Sequence, residues 1–246
     1  MIAANLDWVV IVQSCHFDFN LNRLQRYLVM VQDGGAEPCI LLTKTDLVDT
    51  ATRDALIEAI RSAGIAAPVL TMSNLTGAGL DELTQILLPE KTYCFVGSSG
   101  VGKSSLINHL TGHDRLETQT VSGTGEGRHT TVRRELIRLD CGALVIDTPG
   151  MREFGIIDAA LGLESNFSMI TSLAAQCRYR DCSHTDEPGC AILDAVLSGT
   201  ISQDSLKNYQ KLNDESDFNQ MSYAEKRRKD RDFGRFIKSV KKGLRR

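Results

Sequence analysis

This 246-residue sequence has no long apolar run. Its longest, Trp8 to Val12 and Cys39 to Leu42, fall far short of the roughly 20 residues that a membrane-spanning helix needs, so a membrane helix is excluded. The opening MIAANLDWVV carries Asp7 and lacks a basic segment ahead of an apolar core; it does not read as a secretory signal, and the expectation is a cytoplasmic protein. Internal repeats are missing too, which sets aside arrays of stacked units. Nor is the chain short of core-forming residues: 42% hydrophobic and 24% charged is ordinary for a globular protein and argues against both disorder and a fibrous chain. Acidic charge is scarce only at the end. Residues 226–246 hold eleven Lys/Arg against two Asp/Glu, leaving 17 against 29 on residues 1–225, so a basic tail rides on an acidic body.

What is present is a regular alternation. DWVVIVQS, PCILLTKTD, APVLTMS and KTYCFVGSSG read as strands, and LNRLQRYLVMVQD, ATRDALIEAIRSAG and LDELTQILL as the helices between them, a succession that builds βαβ units and a mainly parallel sheet. TVRRELIRLD and GALVIDTPG read as two further strands, joined as a hairpin around Asp140-Cys141-Gly142. From about residue 157 strand signals cease. GCAILDAVLSG, SQDSLKNYQKL and SYAEKRRKDRDFGRFIKSVKK read as helices, the last opened by Ser222 and Glu225 at capping-box spacing. The expected architecture is an α/β domain over residues 1–158 and a small, mainly helical domain over 159–246.

Gly97, Ser98, Ser99, Gly100, Val101, Gly102, Lys103 and Ser104, followed by Ser105, satisfy the Walker A pattern between the apolar YCFV and the helical SSLINHL. Glycines let backbone N–H groups turn inward around phosphate oxygens, a helix N-terminus follows, Lys103 reaches the β/γ-phosphates, and Ser104 ligates magnesium. Asp147-Thr148-Pro149-Gly150 follows the apolar ALVI, where a second acidic group is needed to hold magnesium and where Gly150 brings its N–H to the γ-phosphate. Between them SGTGEGRHTT, residues 122–131, reads as a switch segment whose Thr130 or Thr131 completes the magnesium shell.

Thr43-Lys44-Thr45-Asp46 lies upstream of the phosphate loop, the reverse of the usual order in a GTPase. Asp46 at a strand end accepts both N1–H and the exocyclic amine of guanine, Lys44 lies across the base, and Ser73-Asn74 after the next strand supplies the loop whose backbone touches the guanine oxygen. Base reader, second base loop, phosphate loop, switch I and switch II are thus all present in cyclically rotated order. A site beyond the carboxyl ends of an open α/β sheet survives such a rotation. The rotation also runs switch II almost directly into the C-terminal helices, which suggests that nucleotide state is relayed there.

Cys177, Cys182, His184 and Cys190 offer three thiolates and an imidazole within fourteen residues, a Cys3His set suited to structural zinc although its spacing departs from CxxC. In a cytosolic chain such a cluster reads as metal rather than disulfide. Cys39, Cys94 and Cys141 lie in strand-like runs and read as small hydrophobes.

Taken together, the rotated motifs and the Cys/His knuckle resemble the circularly permuted family of ribosome small-subunit-dependent GTPase A, over nearly the whole chain. The resemblance implies hydrolysis of GTP to GDP, stimulated by the small ribosomal subunit, in late maturation of that subunit, with the subunit and its rRNA as partners, Mg2+ and Zn2+ as cofactors, and a monomeric protein. Three departures carry expectations. Members of that family carry an oligonucleotide-binding OB-fold ahead of the GTPase domain, and this sequence opens where that domain would end, so weaker ribosome docking is expected. Thr43 replaces the usual asparagine and is expected to remove an amide that braces the phosphate loop. Met151 stands where many GTPases place a water-orienting glutamine, which points to His129 for that task. Two other readings compete. An RNA-binding module with near-static nucleotide is separated from the enzyme by its turnover number. An ATPase predicts that Asp46→Asn barely alters nucleotide choice, whereas the guanine reading predicts loss of GTP preference.

Overall fold

A computed structural model describes residues 5–112, 135–147 and 159–243. The first half alternates as expected: β1 (Trp8–Ser14), α1 (Leu21–Asp33), β2 (Glu37–Thr43), α2 (Thr50–Ser62), β3 (Val69–Thr71), α3 (Leu80–Ile86), β4 (Thr92–Val96) and α4 (Lys103–Thr111), followed by β5 (Glu135–Arg138) and β6 (Leu144–Asp147). The strands form one sheet in the order β3-β2-β1-β4-β6-β5, parallel except for the antiparallel β5–β6 pair. That pair is the expected hairpin. Its turn closes through Gly142 N–H donating to the Leu139 carbonyl.

β1 is buried on both faces, as a central parallel strand must be, and so its sequence is almost continuously apolar. Val10 and Val12 face a core with Leu83, Tyr93, Phe95, Leu106, Ile107 and Val145, under α3 and α4. Val9 and Ile11 face a second core with Leu24, Leu28, Ile40, Leu42 and Ile60, under α1 and α2. Helix starts follow local chemistry: Asn20 accepts from Arg23 N–H to cap α1 and Asp49 from Thr52 N–H to cap α2.

The strand order sets the site. Strands run outward from β1 through β2 to β3, then the chain returns to place β4 on the other side of β1, so the order reverses between β1 and β4. Crevices at such a reversal, beyond the carboxyl ends of the strands, are where open α/β sheets bind ligands.

The C-terminal stretch is helical: α5 (Ala160–Asn166), α6 (Ser168–Ala174), α7 (Ala191–Leu197), α8 (Gln203–Gln220) and α9 (Tyr223–Gly243). α8 runs well past the segment expected from sequence, and α5 and α6 fill a stretch in which individual helices were not delimited. The capping box of α9 forms, with Glu225 Oε2 accepting from Ser222 N–H at 2.8 Å and Ser222 Oγ accepting from Glu225 N–H at 3.4 Å. A third apolar cluster, built on Leu163, Phe167, Ile170, Cys190, Ile192, Leu206 and Leu212, includes Val29 of α1. α5 packs so closely on α1 that a Cβ at Gly162 would lie 2.2 Å from the Val29 carbonyl oxygen. Polar ties reinforce the seam: Gly162 N–H donates to Asp33 Oδ1 at 2.8 Å, Asn208 Nδ2 to Gln25 Oε1 at 2.6 Å, and Arg26 meets Glu215 bidentately at 2.7 and 2.6 Å.

Candidate functional site

The phosphate loop leaves β4 at Gly97, where φ is +153° and a Cβ would lie 2.2 Å from the Val12 carbonyl oxygen of β1. Only glycine lets the loop pass that close to the neighbouring strand. Lys103, 7% exposed, opens α4 and reaches back across the loop, its Nζ donating to the carbonyls of Gly97 at 2.8 Å and Ser98 at 2.6 Å. Its positive charge therefore sits over the concave backbone of the loop. Ser104 and Ser105 lie in the first turn of α4, whose N-terminal residue Gly102 gives no side-chain cap. Val101 turns its side chain into the core, leaving its backbone to the loop.

The loops after β2 and β3, expected from the sequence to read the base, are tied to this loop and to each other. Thr43, fully buried at the end of β2, donates its hydroxyl to the Val101 carbonyl at 2.6 Å, with the Gln13 carbonyl 3.2 Å away. The expectation that threonine at this position forfeits a brace on the phosphate loop is therefore corrected. The hydroxyl, bonded to Cβ, is short enough to serve because the Val101 carbonyl lies directly against the end of β2. Asn74 Nδ2 donates to the Gly102 carbonyl at 3.0 Å, a second brace. Ser73 is fully buried; its hydroxyl donates to Asp46 Oδ1 and accepts from Leu75 and Thr76 N–H at 3.1 and 3.2 Å, fixing the carboxylate of the base reader. Lys44 adopts a left-handed backbone, φ +58° and ψ +40°, and its Nζ lies 4.6 Å from the centroid of Phe17. Partial burial pulls the Lys44 pKa down, against the pull of Asp18 and Asp46.

Phe17 and Asp18 belong to the loop between β1 and α1. Asp18 is largely buried and pairs with Arg23 at 2.8 Å. Burial pushes its pKa up, opposed by Arg23, by a hydrogen bond from Ser98, and by Lys103. The loop after β1 thus touches both the base reader and the phosphate loop.

The Cys/His knuckle lies between α6 and α7. The sulfurs of Cys177 and Cys190 are 3.8 Å apart, and His184 Nδ1 lies 3.6 and 3.4 Å from them. With Cys182, all four ligand atoms fall within 4.8 Å of one another. Tetrahedral zinc with Zn–S of about 2.3 Å sets its sulfurs about 3.8 Å apart, so the residues fit that ion. A disulfide, with sulfurs about 2.05 Å apart, does not match. Burial lowers the His184 pKa and so favours the neutral imidazole that can ligate, while Glu187 pulls the other way. Desolvation, together with the sulfurs of Cys190 and Cys177, pushes the Cys182 thiol up to about 12; a bound divalent cation reverses that preference. Gln210 of α8 donates to the carbonyls of Ser183 and His184, and Glu187 gathers the N–H groups of Ser183, Thr185 and Asp186.

With this geometry in place, comparison with known proteins is direct. The profile of the RsgA GTPase family matches residues 1–157. The chain belongs to the RsgA GTPase family. The small ribosomal subunit biogenesis GTPase RsgA 2 of Lactiplantibacillus plantarum is 47% identical over 220 residues, 89% of this chain and 61% of that protein. The small ribosomal subunit biogenesis GTPase RsgA of Methanosarcina acetivorans is 47% identical over 219 residues, 89% of this chain and 59% of that protein. The chain thus spans about three fifths of the length of these curated relatives. Among solved structures, YjeQ from Thermotoga maritima is 29% identical with a TM-score of 0.62, covering 85% of this chain and 70% of that one. YloQ, described as a circularly permuted GTPase, is 31% identical with a TM-score of 0.61, covering 89% and 71%. The rotated order read from the sequence is that of this RsgA-type fold.

Within this RsgA-family chain the structure gathers Thr43, Lys44, Asp46, Ser73, Asn74 and Gly97 to Ser105 beyond the carboxyl ends of β2, β3 and β4. Asp147 ends β6 there, its backbone in register with Phe95 of β4. His129, Thr130, Thr131, Gly150 and Met151 lie outside the described residues. Sequence reading missed His16, Phe17 and Asp18. Their one signal was position: they follow the strand at which the sheet order reverses.

Proposed function

We propose that this chain is a magnesium-dependent GTPase, converting GTP to GDP and phosphate, that acts in maturation of the small ribosomal subunit in the cytoplasm. The observation that carries the reading is the hydrogen-bonded union of base reader and phosphate loop, through Thr43 to Val101 and Asn74 to Gly102, with Asp46 fixed by Ser73. The relatives' names, small ribosomal subunit biogenesis GTPase, support the place of action. Residues 1–158 form the GTPase domain in this reading and 159–246 the zinc-binding helical domain with its basic tail.

Asp46 accepts from N1–H and the exocyclic amine of guanine, a donor pair that adenine does not offer. Lys44 covers the base. Backbone N–H groups of Gly97 to Lys103 surround the phosphates, and Lys103 exchanges its loop carbonyls for the β/γ-oxygens. Ser104 and Asp147, hard oxygen donors, suit magnesium. Magnesium, when bound, neutralises charge developing on the phosphates. Thr130 or Thr131 would join that shell and His129 would orient the attacking water. Cys177, Cys182, His184 and Cys190 would hold zinc as a structural cross-link. Arg227, Arg228, Lys229, Arg231 and Arg235 are exposed along α9 and suit contacts with rRNA phosphates, while a monomer suffices for every step.

The test is phosphate release from GTP and from ATP, with and without purified small ribosomal subunits at low salt. GTP-only hydrolysis rising at least tenfold with subunits is expected. Equal use of ATP would sink the guanine assignment, and a slow rate indifferent to subunits would sink the ribosomal one.

A further inference from the structure

The loop from Cys15 to Asn20 belongs to none of the five motifs of a GTPase, yet it lies at the reversal between β1 and β4, where the bound nucleotide must sit. It is pinned at both ends. Cys15 N–H donates to the Thr43 carbonyl at 2.9 Å, immediately before Lys44, and His16 N–H donates to Ser14 Oγ at 3.2 Å. On the far side, Gln13 clasps the Asn20 backbone through both its amide atoms, at 2.9 and 3.2 Å, and Asp18 is fixed by Arg23. Between these anchors Phe17 projects outward, 55% exposed, with His16 edge-on to its ring. A large aromatic ring left half in water on a pinned loop has little to do for the core. What it touches is the ammonium of Lys44.

Lys44 needs such a contact. Its left-handed backbone is a conformation that non-glycine residues seldom adopt. The four-carbon stem is free to rotate unless its end is held, and only one direction of that stem lies flat across a purine. An ammonium over an aromatic face is held by the ring quadrupole, more weakly where the ring is part-exposed, as Phe17 is.

We propose that Phe17 is a positioning residue of the nucleotide site, its ring holding the Lys44 ammonium so that the Lys44 stem is already aligned to cover the guanine base. The inference rests on the guanine-nucleotide reading above and adds a residue to it. Phe17 acts through Lys44 and not on the nucleotide directly. Its contribution therefore vanishes when the ammonium is gone.

The experiment is titration of the full chain with fluorescent GDP, across Phe17→Ala, Phe17→Leu and Phe17→Tyr, each in the wild-type and the Lys44→Met background. Phe17→Ala and Phe17→Leu should weaken GDP binding about two- to fivefold, the factor a part-exposed cation–π contact supplies, while Phe17→Tyr, which keeps the ring face, binds as wild type. In the Lys44→Met background all three should bind alike, since methionine keeps the stem and removes the charge. The inference is overturned if Phe17→Leu binds as wild type, which would make the ring a mere apolar filler. It is equally overturned if Phe17→Ala costs as much in the Lys44→Met background as in the wild type. Failure of the unaltered chain to bind GDP would instead remove the guanine reading itself, and this inference with it.

Discussion

The phosphate loop and the Cys/His knuckle are both short polar loops whose ligand groups converge, but they are held in opposite ways. The phosphate loop is built by the protein alone. It leaves a buried strand, passes under the Val12 carbonyl at Gly97, and is braced by Thr43 and Asn74 from two other strand ends. The knuckle has few such ties. Cys177, Cys182 and His184 are only partly buried; Cys190 lies in the apolar cluster with Cys177 and Cys182 packed against it, and the other fastenings include the Arg178 N–H to Gly189 carbonyl bond, Gln210 and the N–H groups that Glu187 collects. One loop is pre-shaped by the protein's own bonds; the other, in the reading that it holds zinc, would depend on that ion for shape.

The widest expected effect follows from that dependence. Structural zinc is worth about 10 kcal/mol or more of apparent folding free energy in small zinc modules, so stripping it should unfold the knuckle outright. Chelation, or Cys190→Ser, should bring bound zinc from one per chain to near zero and abolish hydrogen-exchange protection over residues 177–190, with GDP affinity changed by less than about twofold. Persistent protection after complete zinc loss would erase the contrast between the loops. Next in size is Gly97→Ala. Its Cβ, 2.2 Å from a backbone oxygen of a central strand, has no flexible neighbour to displace, and such overpacking costs about 1–3 kcal/mol or more. Thermal melting should fall by several degrees and GDP binding with it, while zinc content stays at one per chain.

Smaller is the effect of Thr43→Val, which keeps volume and removes the hydroxyl. The Val101 carbonyl then lacks a buried donor, at a cost of about 1–3 kcal/mol, divided between stability and GDP affinity. Thr43→Ser restores the donor and should recover most of the loss. Equal behaviour of the valine and serine variants would mean that the brace contributes nothing.

The contrast also explains what the sequence made legible. Strands β1, β2 and β4 were readable because burial on both faces demands apolar runs, and the phosphate loop because backbone close approach demands glycine at fixed spacing. The knuckle was readable because thiolates and imidazole have few other reasons to cluster. Thr43 as a brace was not readable: whether a hydroxyl replaces an amide depends on the lateral distance between β2 and the phosphate loop, which no spacing along the chain records. The role of the loop after β1 was hidden for a similar reason, since Phe17 and Asp18 meet Lys44 and Ser98 only once the strand order is known. The seam of α1 against α5 and α8 was invisible as well. Nothing along the chain marks its polar residues, Gln25, Arg26, Gln32 and Asp33, as partners until Asn166, Asn208, Glu215 and the Gly162 N–H are set opposite them.

That seam supplies the finest test of whether the two loops are independent. α1 starts directly after the loop that backs the phosphate site, and α8 carries Gln210, which holds the knuckle's carbonyls. Arg26 and Glu215 join the two helices by a bidentate pair, each side chain about a quarter exposed. Exposed ion pairs are worth about 0–1 kcal/mol, and bidentate geometry places this one toward the upper end. A double-mutant cycle of Arg26→Ala and Glu215→Ala should therefore return a coupling of about 0.5–1 kcal/mol in unfolding, smaller at high salt. Repeating the cycle with GDP bound sharpens it. If α1 transmits strain from the phosphate site to α8, the coupling changes with the nucleotide; an identical value with and without GDP would mean that the seam only glues the helices together.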